Sequence, residues 1–168
     1  MRVVDTISGR FATTDSDGSF SLAELPRPQA HFKVEKEGYE PVEVDATGSN
    51  VDLPLQRIVR FTAGQTVSPP ALAPNDLSYT VGGNRCGPCR LIRVVVPQAG
   101  TVHMRVTWTG LAARLSLFGE GQVVAGQAGE LIADLPINAP REVVVYLGAA
   151  APIALNSHMS FTIETSLR

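Results

Sequence analysis

The sequence predicts an all-β protein made of two β-sandwich domains, and three observations support this prediction. Apolar and polar residues alternate along many short segments, which is the period of a half-buried strand. The chain contains 15 Gly and 12 Pro, and these residues divide the segments at short intervals, as in proteins built from strands and turns. No window of helical length keeps a helical apolar period, and the alanine-rich stretch 148–152 ends at Pro152.

The first sixty residues contain several short alternating segments, which we expect to form about six strands of one small domain. The tight turn Asp15–Gly18 and the break Leu25–Pro28 divide them. The predicted strands are Phe11–Thr14, Ser19–Leu22, His31–Glu35, Val42–Val44 and Val51–Leu55. Pro54 has no backbone donor, so we expect the last of them at a sheet edge.

Residues 61–76 differ from their surroundings in composition. They contain Gly64, the pair Pro69-Pro70 and the run Pro74-Asn75-Asp76, and such composition is typical of an inter-domain linker. We therefore predict domains at 1–60 and 77–168, joined by a linker at 61–76.

The second domain is predicted to be a jelly-roll or Greek-key-like sandwich of about seven strands. Val102, Met104, Val106 and Trp108 share one phase of the run 101–108, which predicts a half-buried strand with Trp108 in the core. Further strands are predicted at Arg90–Val96, Leu115–Leu117, Leu131–Leu135, Glu142–Leu147 and Ser160–Thr165.

Composition excludes several classes of function. Hydrophobic residues make up 44% and charged residues 18% of the chain, which favours packed cores over disorder. The net charge is −2 and no basic stripe is present, so we expect no nucleic-acid partner. No apolar run reaches the length of about 18 residues that spans a bilayer, so we expect no membrane insertion. No apolar leader follows Met1.

Residues 10–57 resemble the carboxypeptidase regulatory-like domain, a transthyretin-like sandwich. The resemblance is carried by Ala12–Leu22, by Leu25-Pro26, by Val34–Glu37 leading into Gly38–Pro41, and by Asp52–Leu55. That family begins with a further strand and a Pro-Leu-rich turn. We therefore expect the first strand to be missing here, as in a fragment of a longer protein or a domain whose edge a partner completes.

Residues 77–168 resemble the bacterial pre-peptidase C-terminal domain, a jelly-roll-like sandwich. The resemblance is carried by Cys89-Arg90, Val94–Val102, Val106–Trp108 and Leu115–Phe118. A Trp-Asp pair is frequent in that family, whereas Thr109 and Gly110 follow Trp108 here. Both resemblances imply non-catalytic modules appended to secreted enzymes, adhesins and surface proteins, and hence an extracellular or cell-surface location.

The motif Cys86-Gly87-Pro88-Cys89 has the spacing of a thioredoxin active site. In that site the first thiol lies at a helix N-terminus, which lowers its pKa. Here a β-branched strand follows and Arg85 precedes Cys86, so we favour a structural disulfide between Cys86 and Cys89, as expected of a secreted module. Thiol-disulfide activity remains the alternative, whereas a zinc site would need about four ligands.

The turn after the first predicted strand offers the one metal candidate. Asp15, Asp17 and Glu24 fall on ligand positions if Gly18 is aligned with the glycine of a calcium loop. Asp and Gly are also the residues that a hairpin turn requires. We predict no metal and no cofactor, with these three residues as the calcium alternative.

No catalytic residues are predicted. His31, His103 and His158 are isolated, with His31 and His103 on the polar phase of their strands, and no serine lies in a nucleophile elbow. Tyr39, in a turn, and Tyr146, out of phase with its apolar neighbours, are the candidates for ligand binding because exposed aromatic faces stack on sugars.

We therefore expect a non-catalytic accessory or adhesive module of a secreted or cell-surface bacterial protein, with a glycan or a protein as its partner. One alternative is a structural subunit or spacer that self-associates through a strand edge. An exposed aromatic row would favour glycan binding, a long unpaired edge near residues 2–14 would favour self-association, and a buried or oxidised cysteine pair would exclude the thiol-disulfide alternative.

Overall fold

The all-β prediction is confirmed. A computed structural model of the chain describes residues 1–16, 18–22, 29–47, 51, 53, 55–74, 76–109, 114–127, 129–149 and 158–168, and these residues form strands, turns and connecting segments without a helix. No described segment is therefore a helix of a length and hydrophobicity suited to crossing a membrane. The chain divides into two compact units, Met1–Arg57 and Ile58–Arg168.

Unit 1 contains one four-stranded antiparallel sheet in the order β2-β1-β3-β4. The bounds of its strands are β1 Arg2–Asp5, β2 Phe11–Thr13, β3 Gln29–Glu35 and β4 Val42–Thr47. We predicted no strand at 2–5, yet β1 pairs with both β2 and β3 and so lies inside the sheet. A long unpaired edge near residues 2–14 would favour self-association, but the edge here is the three-residue strand β2.

The apolar face of the unit 1 sheet is covered by segments that are not strands. Val3, Phe32 and Val34 are buried on this face. Residues predicted as strands pack against them without joining a ladder, namely Phe20, Leu22, Val51, Leu53 and Leu55. At these described positions the predicted alternation thus corresponds to partly buried side chains and not to a paired strand.

Unit 2 is a β-sandwich of two sheets. The four-stranded sheet has the order β13-β10-β15-β6 and the five-stranded sheet the order β12-β11-β14-β9-β5, with β5 parallel to β9. A separate hairpin is formed by β7 and β8. The bounds are β5 Val59–Thr62, β6 Thr66–Val67, β7 Tyr79–Val81, β8 Asn84–Cys86, β9 Cys89–Val96, β10 Gly100–Trp108, β11 Leu115–Gly119, β12 Gln122–Ala125, β13 Glu130–Ile137, β14 Arg141–Ala149 and β15 Phe161–Leu167.

One core lies between the two sheets of unit 2. Met104 and Ile163 of the four-stranded sheet and Ile92, Leu117 and Leu147 of the five-stranded sheet belong to it, and all of them are buried. The phase predicted for β10 is confirmed, because Val102, Met104, Val106 and Trp108 are buried. Period-two alternation on both sheets places these side chains on facing surfaces.

The segment predicted as a linker at 61–76 belongs to unit 2. Phe61 lies in β5 and is buried in the sandwich core, β6 forms an edge of the four-stranded sheet, and Leu72 is fully buried. Leu72 also forms a bridge with Met159. The unit boundary therefore lies between Arg57 and Ile58, and Gly64 lies in the turn between β5 and β6.

Candidate functional site

Cys86 and Cys89 form a disulfide, with an S–S distance of 2.04 Å. Cys86 ends β8 and Cys89 begins β9, and their exposed fractions are 2% and 0%. A thioredoxin-type site needs an accessible first thiol at a helix N-terminus. Here the cysteines are oxidised, buried and placed between two strands, which opposes the thiol-disulfide alternative.

Two glycines allow the turn that carries the disulfide to pack closely on its surroundings. A Cβ atom on Gly148 would lie 2.4 Å from the Cys86 Sγ, and one on Gly87 would lie 2.0 Å from the Ser78 Oγ. Backbone hydrogen bonds fix the same turn, because Cys89 N–H donates to the Leu77 carbonyl and Ala149 N–H donates to the Pro88 carbonyl. The disulfide thus packs directly against β14.

The hairpin of β7 and β8 covers part of the outer face of the five-stranded sheet. Phe118 and Tyr146 alternate with core residues and so point outward, where Tyr79 and Val81 of the hairpin pack on them beside the two cysteines. The ring centroids of Tyr79 and Tyr146 are 5.0 Å apart. The outward phase predicted for Tyr146 is correct, but its ring is half-buried because the hairpin lies over it.

Tyr39 lies in a turn of unit 1 and is half-buried. The Lys36 Nζ lies 4.3 Å from its ring centroid, and the Arg57 Nε donates to its hydroxyl over 3.4 Å. The hydrogen bond from Arg57, together with the charge of Lys36, lowers the pKa of Tyr39. The phenol is thus held among cations, and a role in ligand binding stays a prediction.

The turn considered for calcium has the hydrogen bonds of a tight turn. Gly18 N–H donates to the Asp15 carbonyl, Asp15 N–H donates to the Ser19 carbonyl, and Gly18 has a φ of 91°. Asp17 and Glu24 lie outside the described residues. In the described part of the chain no three His, Cys, Asp or Glu side chains are grouped so as to hold a metal ion.

The outer face of the four-stranded sheet carries paired charges. The His103 Nδ1 and the Asp134 Oδ1 are 2.7 Å apart. Arg105 bonds to Glu130 over 2.6 Å and to Glu164 over 3.4 Å, and the bond to Glu130 is the main cause that raises the pKa of Arg105. His103 lies opposite Asp134 and Arg105 lies opposite Glu164, whereas Glu130 is a diagonal neighbour of Arg105. Such cross-strand pairs favour the observed strand register.

A similar network crosses three strands of the five-stranded sheet. The Glu142 carboxylate accepts bonds from the Arg60 Nε over 2.7 Å and from the Arg93 Nη1 over 2.9 Å. These two hydrogen bonds lower the pKa of Glu142. The sequence alone does not show the partners of Glu142 and Asp134, because they become visible only once the strand register is known.

Two further ionic contacts differ in the exposure of their side chains. Arg90 and Asp76 form a buried pair, with the Nη2 and Oδ2 atoms 2.6 Å apart and side chains 6% and 14% exposed. In unit 1, His31 lies 2.7 Å from Asp45 and 3.6 Å from Glu43. The hydrogen bond to Asp45 is the main cause that raises the pKa of His31.

Phe11 is an exposed aromatic residue that sequence reasoning did not select. Its exposed fraction is 61%, and the other aromatic residues in the described part of the chain are buried or half-buried. It lies on the edge strand β2, and the Arg2 guanidinium carbon is 5.0 Å from its ring centroid. An apolar residue at a predicted strand end was the one available sign of this position.

No family model matches the chain, and no curated protein matches it. Among solved structures, the chain is similar to the pre-peptidase C-terminal domain of a collagenase from Bacillus anthracis. The identity is 12%, the TM-score is 0.45, and the match covers 69% of this chain and 100% of that domain.

Proposed function

We propose that this chain is a non-catalytic accessory module of a secreted or cell-surface bacterial protein. The observation that carries the proposal is the buried, oxidised pair Cys86–Cys89, because such disulfides persist in oxidising compartments and are rare in the cytosol. The sequence resemblances support the same location, since both families accompany exported enzymes and surface proteins.

The arrangement of the charged groups supports a non-catalytic role. The histidines of the two described His–Asp contacts, His31 and His103, lie on sheet faces and are paired with carboxylates of the adjacent strand. A general base acts best in a pocket that excludes water and orients the base toward a substrate. Pairs on open sheet faces act on strand register instead.

The proposal is tested by comparing the chain exported to an oxidising compartment with the chain kept in a reducing one. After alkylation in denaturant without reductant, intact mass should show no alkylated cysteine in the exported chain and two in the other. The exported chain should also resist proteolysis better. Equal proteolysis of the oxidised and reduced chains would contradict the proposal that the disulfide stabilises the exported chain.

A glycan is one proposed partner, with Tyr39 and Phe11 as the aromatic residues that could stack on it. Tyr146 is less suited to stack on a glycan because Tyr79 packs on its ring. Affinity electrophoresis in gels containing soluble polysaccharides tests this. A retarded chain whose retardation disappears in Tyr39→Ala or Phe11→Ala, but persists in the control Val123→Ala, supports a glycan. Equal mobility in every polysaccharide contradicts it.

Self-association is the second proposed mode, and the edge strand β2 favours it. Phe11 on this strand and Ile7 in the preceding turn are 61% and 50% exposed, and an unpaired sheet edge beside exposed apolar side chains can pair with a second copy, here over the three residues of β2. Sedimentation at increasing concentration tests this mode. We expect a dimer that Phe11→Lys abolishes and that Ile132→Lys, at another exposed apolar position, leaves intact. A monomer at all concentrations contradicts it.

A further inference from the structure

We propose that the β7–β8 hairpin is a disulfide-locked cover over an apolar row of the five-stranded sheet, and that it opens when a dithiol reduces Cys86–Cys89. This device requires neither a glycan nor a second copy of the chain as a partner. It concerns a device within unit 2, in which the redox state of one bond decides whether the aromatic surface beneath the hairpin is covered or exposed.

The covered surface is a row of side chains in register across four strands. Val123 of β12 is opposite Phe118 of β11, Phe118 is opposite Tyr146 of β14, and Tyr146 is opposite Leu91 of β9. Phe118 and Leu91 are buried, whereas Val123 at the end of the row is 53% exposed. The row therefore continues beyond the hairpin at its Val123 end.

The hairpin depends on few interactions. Each of its strands has three residues, and an isolated two-stranded hairpin is at best marginally stable in water. Its tip at Gly82-Gly83 and the neighbouring Thr80, Asn84 and Arg85 are exposed. The packing of Tyr79 and Val81 and the disulfide at its base hold it on the sheet, so we expect it to open at a lower free energy than the strands of the two sheets.

Reduction of the bond must follow an opening of the hairpin. Both cysteines are buried, and exchange requires a thiolate to approach one sulfur in line with the S–S bond. One thiolate of the dithiol attacks a sulfur, the S–S bond breaks, and the released thiolate takes up a proton. The second thiol of the reagent then displaces the protein thiol, so the dithiol becomes a cyclic disulfide and the protein gains two thiols.

We expect the reduced pair to fit the same place less well than the disulfide does. Two unbonded thiol sulfurs need a greater separation than two bonded ones. The Gly148 backbone of β14 restricts this separation on one side, because it packs so closely that a Cβ atom there would clash with the Cys86 Sγ. Reduction therefore displaces the hairpin outward and exposes Tyr146 and Phe118.

The experiment measures the rate of reduction by dithiothreitol under native conditions, with alkylation and mass spectrometry to count thiols. Tyr79→Ala removes the ring that packs on Tyr146, and should speed reduction by about tenfold, the factor that corresponds to 1.4 kcal/mol of opening free energy. Thr80→Ala, at the exposed position next to it, is the matched control and should keep the wild-type rate. An unchanged rate in Tyr79→Ala overturns the proposal.

Hydrogen exchange on the reduced, alkylated chain shows how far the opening extends. Faster exchange confined to residues 79–86, with slow exchange retained in β10, supports a separable cover. Faster exchange in β10 as well, or loss of the folded sandwich in Tyr79→Ala, overturns it, since the disulfide and the hairpin would then hold the whole unit. Unchanged exchange in 79–86 after reduction overturns it too.

Discussion

Unit 1 and unit 2 bury their strands in different ways. Unit 2 packs two sheets against each other, and its largest fully buried side chains include Leu117, Leu147 and Met104, whereas those of unit 1 are Val3 and Val34. In unit 1 a single sheet is covered by segments outside any ladder. Apolar burial stabilises by about 25 cal/mol per Å², so we expect unit 1, whose fully buried described side chains are smaller, to be the less stable of the two.

The largest expected effect is a cavity in the sandwich. Leu147→Ala should lower the free energy of unfolding of unit 2 by about 3–5 kcal/mol, through lost transfer energy and the cavity left behind. Trp108, the one tryptophan of the chain, lies in this core, so its fluorescence during urea unfolding measures unit 2. Val34→Ala in unit 1 is the control, and a shift of the Trp108 transition in that variant would contradict separate cores.

Removing one partner of the buried ion pair comes next. Asp76→Asn leaves the Arg90 guanidinium buried beside a neutral group, which should destabilise unit 2 by about 3 kcal/mol. Glu142→Gln, in a network nearer the surface, should cost less than about 1 kcal/mol. Both are measured by Trp108 fluorescence in urea. Equal losses in the two variants would show that the burial of the Arg90–Asp76 pair has no energetic consequence.

A methyl group at the seat of the disulfide should have a smaller and local effect. Gly148→Ala places a Cβ against the Cys86 Sγ, and overpacking of this kind costs about 1–3 kcal/mol. If the clash with sulfur is the cause, the cost shrinks when the same substitution is made in a Cys86→Ala, Cys89→Ala background. An equal cost in both backgrounds would assign the effect to the strand itself.

The smallest expected effect is the pH dependence of unit 1 through His31. Its folded pKa is raised by Asp45, so its contribution is fully present below the unfolded pKa of about 6.5 and is lost as pH rises through the folded pKa. Unit 1 should therefore be slightly more stable at mildly acidic than at mildly alkaline pH. Backbone exchange in β3 measures this, and His31→Gln should remove the dependence; persistence in that variant would contradict it.

The strands of the sandwich could be predicted where apolar and polar residues alternate along the whole strand. In β10 the alternation alone places Trp108 in the core, because a strand with one buried face has no other consistent arrangement. β5 and β6 were missed because they contain four and two residues, too few for a period to show. Their Gly- and Pro-rich surroundings then resembled a linker, although Leu72 between them and β7 is fully buried.

The candidate site shows the same limit. The spacing of Cys86 and Cys89 permits a disulfide, and the following β-branched strand argues against a helix, so that pair could be predicted. Tyr146 could be assigned an outward phase, but the sequence does not show that Tyr79, in a hairpin whose strands have three residues each, folds back onto it. Contacts between segments distant in the chain require the three-dimensional structure.

The measurement that tests separate stabilisation of the two units most directly is residue-resolved native-state hydrogen exchange on the whole oxidised chain. We expect the slowest-exchanging amides at Ile92, Met104 and Val145 in the sandwich, and clearly lower protection at Val34 and Phe32 in unit 1. As urea is added, the opening free energies of the amides should converge to one value within each unit, with different values for the two units. A single opening free energy shared by Val34 and Met104 would contradict the account, because the chain would then unfold as one cooperative unit.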